Sequence, residues 1–145
     1  MPRSVVSVAI KRPVEDVFAV LSDPTNTPKW NSTLLSAKKT SDGPTGVGTT
    51  VQSTGKMFGR QLKTEFTVTE FEVNRRYAVT STKPFPLTMT FALEPTTGGT
   101  RVDLTADVEP GGFFKIVGPL MVRMGERQNR TNLENLRHML EAKAL

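Results

Sequence analysis

The chain has no cysteine and only one histidine among its 145 residues. The first absence excludes disulfides, thiolate nucleophiles and thiolate metal sites, and it fits a reducing compartment. The second leaves His138 as the single imidazole, beside Arg137 near the end of a helical pattern, where a solvated helix-end role fits it. No run approaches about 18 apolar residues, and no basic start leads into an apolar segment of roughly 7–15, so neither a membrane span nor a signal peptide is indicated and a cytoplasmic location is expected. One Trp and one Tyr are too few for an aromatic-laced nucleic-acid platform, so no nucleic-acid partner is expected, although the net charge of +5 favours acidic partners in general. A serine nucleophile elbow and a metal-spaced His and carboxylate cluster are both missing. Gly43 to Gly48 lacks the Lys-Ser/Thr ending of a phosphate loop. No metal or other cofactor is expected.

What is present reads as one domain spanning residues 1–145, large enough to bury a core without staples. Val5, Val6, Val8 and Ile10 indicate a first strand, ended by Lys11-Arg12-Pro13. Val14, Val17, Phe18 and Leu21 then repeat at helical spacing, with Pro13 suited to the first helical position and Glu15 and Asp16 complementing the positive helix start. Asp23-Pro24 offers a cap for a second short helix that Pro28 limits to little more than one turn before Trp30. Six further strands are predicted at 33–40, 48–57, 60–72, 75–82, 86–94 and 100–108, with turns at Asp42-Gly43-Pro44, Gly59, Asn74 and Gly98-Gly99. Alternation assigns faces: Leu62, Thr64, Phe66 and Val68 oppose Lys63, Glu65, Thr67 and Thr69; Leu87, Met89, Phe91 and Leu93 oppose Thr88, Thr90 and Ala92; Val102, Leu104, Ala106 and Val108 oppose Arg101, Asp103, Thr105 and Asp107. An antiparallel meander covered on one face by helices has this pattern.

Phe113 to Ala142 reads as the cover, a single long helix entered through Pro110-Gly111-Gly112, with a kink or break predicted at Gly118-Pro119. Its apolar side carries Phe114, Met121, Val122, Leu133, Leu136, Met139 and Leu140. The same side also carries Gly118, Gly125, Asn129 and Asn132, with Gln128 at its edge, where a packed core would want Leu or Ile. A buried amide without a partner costs about 1–3 kcal/mol, so these residues call for partners or for a lined cavity. Arg123, Arg127, Arg130 and Arg137 lie opposite, interspersed with Glu134 and Glu141 as on a solvated face with some i,i+4 pairing.

Several motifs in order carry a family resemblance: Val8-x-Ile10-x-x-Pro13-x-x-x-Val17-Phe18, Leu21-x-Asp23-Pro24 with Trp30, Thr69-Glu70-Phe71 before Arg75-Arg76-Tyr77, Phe91-x-Leu93, and Gly99-Thr100-Arg101-Val102. From about Val5 to Leu140 the chain resembles the polyketide cyclase/dehydrase and lipid transport family of the START and Bet v 1-like superfamily. The resemblance implies an α+β helix-grip fold, in which a seven-stranded antiparallel sheet wraps around a long C-terminal helix, two short helices follow the first strand, and a hydrophobic ligand pocket lies between sheet and helix. It implies no particular activity, because function in such a fold resides in the pocket.

The candidate pocket residues are Phe66, Val68, Tyr77, Met89 and Phe91 from the sheet, Met121, Gly125, Gln128, Asn129 and Asn132 from the helix, and Trp30 and Phe58 near a mouth. Each has a plainer alternative: the sheet residues as core, Trp30 as closure of the helix pair, Gly125 as a point of close helix approach, and Asn129 and Asn132 as caps for neighbouring backbone. No catalytic residue is assigned; Tyr77 and Glu70, both on the inner parity, are the candidates for acid–base chemistry. Three functions stand open. The first is binding or transport of a hydrophobic or amphipathic small molecule (lipid, isoprenoid or polyketide-like), with transient contact to an anionic membrane through Phe113-Phe114-Lys115-Ile116-Val117. The second is a polyketide aromatase/cyclase or dehydrase using the same pocket, and the third a protein interaction module using the basic helix face. The sequence leaves the oligomeric state undefined.

Overall fold

The computed structural model describes residues 3–57, 59–82, 86–108 and 114–142, with the side chains at 57, 114–119 and 121 outside that description. Strand β1 (Arg3–Ile10) is followed by α1 (Val14–Leu21), a 3-10 turn (Pro24–Asn26) and the one-turn helix α2 (Thr27–Trp30). Then come β2 (Leu34–Lys39), β3 (Thr50–Met57), β4 (Arg60–Glu72), β5 (Arg76–Ser81), β6 (Leu87–Thr96), β7 (Gly99–Val108) and the long helix α3 (Phe114–Ala142). The seven strands form one antiparallel sheet in the order β1-β7-β6-β5-β4-β3-β2.

Local chemistry accounts for these boundaries. Pro13 is the cap rather than the first residue of α1, where the first turn carries Glu15 and Asp16. Asp23 accepts from the Thr25 amide at 3.0 Å and so starts the 3-10 turn. Asn74 takes φ 64° between β4 and β5, a conformation its short polar side chain tolerates. Strand β6 extends past its predicted end to include Pro95, which pairs with Thr100 of β7. On its other side β5 pairs no further than Ala92, so the missing proline N–H faces no neighbouring strand. Gly99 opens β7 because a Cβ there would lie 2.1 Å from the Ile10 carbonyl oxygen.

The inner face of the sheet, α1 and the C-terminal half of α3 share one core, including Val6, Val8, Ile10, Val17, Phe18, Leu21, Val102, Leu104, Leu133, Leu136 and Leu140. Of the predicted kink or break at Gly118-Pro119 the break does not occur, since helix α3 runs through both residues as one element. A proline this close to the helix start forfeits one backbone bond, and the packed C-terminal half supplies the helix's anchorage. The end of α3 is tied to the β1–α1 turn: the Arg12 guanidinium donates to the Leu140 carbonyl at 2.9 Å and to Asp16 at 2.6 Å, and the Lys11 amide donates to Glu141 at 2.9 Å. The hinge at 110–112 and Phe58 lie outside the described residues, as does the first residue of the proposed apolar edge, 113.

Candidate functional site

Burial changes along α3. From Asn132 onward its inward residues are sealed: Asn132, Leu133, Leu136 and Leu140 are each at most 2 % exposed. Among its described side chains before Asn132 none is buried, and Leu120 and Met124 are 62 % and 60 % exposed. The sheet beneath shows the same gradient. Val68, Phe91 and Leu93 are buried, whereas Leu62, Thr64, Phe66, Leu87 and Met89, on the same faces of their strands, are half-buried. Helix and sheet are thus in contact at one end and separated at the other.

A chamber of about 300 Å³ occupies the gap. Gly125, Gln128, Asn129 and Asn132 form its helix wall, with Leu62, Thr64, Phe66, Leu87 and Met89 among its sheet residues. A Cβ on Gly125 would meet nothing within 4 Å, so this glycine borders open space and serves no close approach. A smaller chamber of about 70 Å³ is lined by Trp30, Tyr77, Val79 and Phe91 among others. The two share Asn31, Leu34, Ser53, Phe66 and Met89 as walls.

The smaller chamber is bounded by an aromatic cluster. Trp30 meets Phe91 edge to face at 5.9 Å, Tyr77 lies 6.2 Å from both Phe91 and Phe71, and Phe71 meets Phe18 at 5.3 Å. Trp30 is 3 % exposed, so it lies inside the molecule rather than at a mouth. Its carbonyl accepts from Asn135 Nδ2 at 3.1 Å, and its buried Nε1 has no hydrogen-bond partner among the described residues. Burial pushes the Tyr77 hydroxyl up to about 12, helped by the negative charge of Asp23. The phenol is therefore protonated at neutral pH.

Two further sequence expectations are corrected. Glu70 does not share the inner face with Tyr77. The β4–β5 register shifts between Val68 and Glu70, leaving Thr69 as an extra residue, so that Phe71 faces inward and Glu70 outward. There Glu70 accepts from Arg76 at 3.1 and 3.2 Å, and that pairing raises the Arg76 pKa. Val68 is 1 % exposed and lines neither chamber; it belongs to the core. Phe58 and the side chain of Met121 fall outside the described residues. Sequence reasoning missed the hydroxyls of Ser53 and Ser81, both buried residues that line the larger chamber. Their inward parity was available from strand alternation, since Ser53 follows Val51 by two positions and pairs with Thr64.

The basic face of α3 is partly self-neutralised, Arg130 pairing with Glu126 and Arg137 with Glu134 and Glu141. Among the described residues no helix is long and apolar enough to cross a membrane.

A sheet that grips a C-terminal helix at one end and stands away from it at the other defines a helix-grip protein with a partly open cavity between the two. A family model for polyketide cyclase/dehydrase and lipid transport proteins matches residues 1–141, and the chain belongs to that family. Solved structures agree in fold. TTHA0849 from Thermus thermophilus is 18 % identical with a TM-score of 0.81, covering 97 % of this chain and 98 % of that one. A START superfamily protein from Mycobacterium smegmatis is 15 % identical with a TM-score of 0.80 over 96 % and 97 %. Ara h 8.0201 is 13 % identical with a TM-score of 0.72 over 97 % and 98 %. No curated protein matches the chain significantly.

Proposed function

We propose that the protein binds and carries a hydrophobic or amphipathic small molecule of the lipid, isoprenoid or polyketide-like kind, in the cavity between the sheet and α3. The observation that carries this reading is the chamber of about 300 Å³, walled on the sheet side by Leu62, Phe66, Leu87 and Met89 with Ser53, Lys56, Thr64 and Ser81 between them, and on the helix side by a glycine and three amides. Its volume is at the lower end of ordinary small-molecule sites, and its mixture of apolar walls with a few polar groups is typical of them. Family membership supports the same class of ligand.

A cyclase or dehydrase role has less support. Of the two acid–base candidates, Glu70 is outside and paired, and Tyr77 holds its proton too firmly to act as a base at neutral pH. The interaction-module reading is left with Arg123 and Arg127, because Arg130 and Arg137 are engaged on the helix itself. Those two exposed arginines, beside exposed Leu120 and Met124, fit a transient contact with an anionic membrane during ligand exchange.

Trp30 is the only tryptophan and lines the smaller chamber, so its fluorescence reports occupancy. Titration with a fatty acid, an isoprenoid alcohol and a fused-ring phenol is expected to shift the emission saturably for at least one of them. Gly125→Met, which places a side chain in the open space at that position, should weaken that binding at least tenfold while leaving the melting temperature unchanged or higher. Undiminished affinity in Gly125→Met would show that the chamber is not the site.

A further inference from the structure

The helix wall of the larger chamber has a fixed hydrogen-bond polarity, imposed from outside the chamber. The backbone N–H of Ser32, which can only donate, points at Asn132 Oδ1 at 3.2 Å. The amide of Asn132 therefore cannot be flipped, and its nitrogen is turned away from Ser32. Because the Asn132 atom here is an oxygen, the Gln128 atom 2.9 Å from it is a nitrogen, and this same Nε2 donates to Ser32 Oγ at 2.8 Å. The Ser32 hydroxyl adds a further, longer contact to Asn132 Oδ1 at 3.4 Å.

One oxygen thus receives the local donors, and the two N–H groups of Asn132 Nδ2 have no acceptor among the described residues. Asn132 is only 2 % exposed. Trp30 Nε1 is the one side-chain nitrogen or oxygen among the described residues that is both sealed and unpartnered. The Asn132 amine accordingly opens onto space, and the space Asn132 lines is the larger chamber. Asn129 also lines it, but no donor or acceptor among the described residues locks its amide, so it adapts to either kind of group. Asn132 does not adapt.

We infer that the bound molecule presents an acceptor oxygen, a carboxylate or a carbonyl, to Asn132 Nδ2, with its apolar part against Phe66 and Met89 and extending toward Trp30. This rests on the binding reading above and names the chemistry of the ligand's polar end. At about 30 Å³ per small group, a chamber of about 300 Å³ holds a ligand of roughly ten non-hydrogen atoms. A donor-only head such as an ammonium would face the Asn132 amine donor to donor and leave both unpaired, the arrangement by which polar sites reject analogues most strongly.

The test is a head-group series of matched length, nonanoate, 2-nonanone and nonylammonium, titrated against Trp30 fluorescence at pH 8 and about 0.5 M salt, where the net positive charge is screened. Nonanoate and 2-nonanone are expected to bind at least tenfold tighter than nonylammonium. In Asn132→Asp, which keeps an oxygen toward Ser32 and Gln128 but replaces the amine with a second acceptor, the order is expected to reverse. Equal affinities of the three ligands for the unsubstituted protein would overturn the inference and leave apolar binding intact. No binding of any of the three would overturn both. Should Asn132→Asp not fold, the series on the unsubstituted protein decides alone.

Discussion

Tyr77 is the chain's only phenol, so a single absorbance titration near 295 nm reads its environment without interference from other tyrosines. Packed between Phe71 and Phe91, it is raised from 10 to about 12, mainly by burial. A midpoint near 12 is expected in the folded protein, and a midpoint near 10 would mean that the aromatic cluster is open to water. The sign of the linked stability change follows. The folded state keeps this proton between about pH 10 and 12 while the unfolded state has lost it, so the contribution is fully present below pH 10 and is lost as pH rises through the folded value. At 1.36 kcal/mol per pKa unit this is roughly 2–3 kcal/mol, and Tyr77→Phe should remove that part of the alkaline dependence.

The elements were largely legible because their periods agree with their burial. The alternation in β7 read from the sequence is the alternation observed, in β6 it is observed at Phe91, Ala92 and Leu93, and the helical spacing of Leu133, Leu136 and Leu140 marks the half of α3 that packs. Glu70 was misplaced because a bulge inserts one residue without any glycine or proline to announce it, and a single extra residue reverses every later side chain in the strand. The amides of α3 were legible as out of place, but their hydrogen-bond polarity was not. It depends on the Ser32 amide, which lies 100 residues away in the sequence. Nor did the sequence reveal how α3 is anchored: Arg12 reaches the last turn of α3, where exposed carbonyls favour a cation. Arg12→Met should therefore destabilise the fold by roughly 1–3 kcal/mol in chemical denaturation, with amide exchange accelerated first in the last turn of α3. Unchanged exchange there would show that Leu133 and Leu136 suffice as the anchor.

In the whole molecule, one helix does two jobs at its two ends. The C-terminal half closes the core against β1, α1 and α2, and the half before it roofs the chamber without sealing it. This division lets stability and cavity volume vary separately, since residues such as Leu136 and Gly125 belong to different halves. The exposed pair Leu120 and Met124 belongs to the roofing half. The most direct test of ligand carriage is native mass spectrometry of the protein purified from its own host without detergent, followed by denaturation and identification of what is released. The expected species is heavier than the bare 15.9 kDa chain by one small organic molecule with an apolar body and a carbonyl or carboxylate oxygen, released on unfolding. A folded protein that emerges only at the mass of the bare chain would contradict ligand carriage.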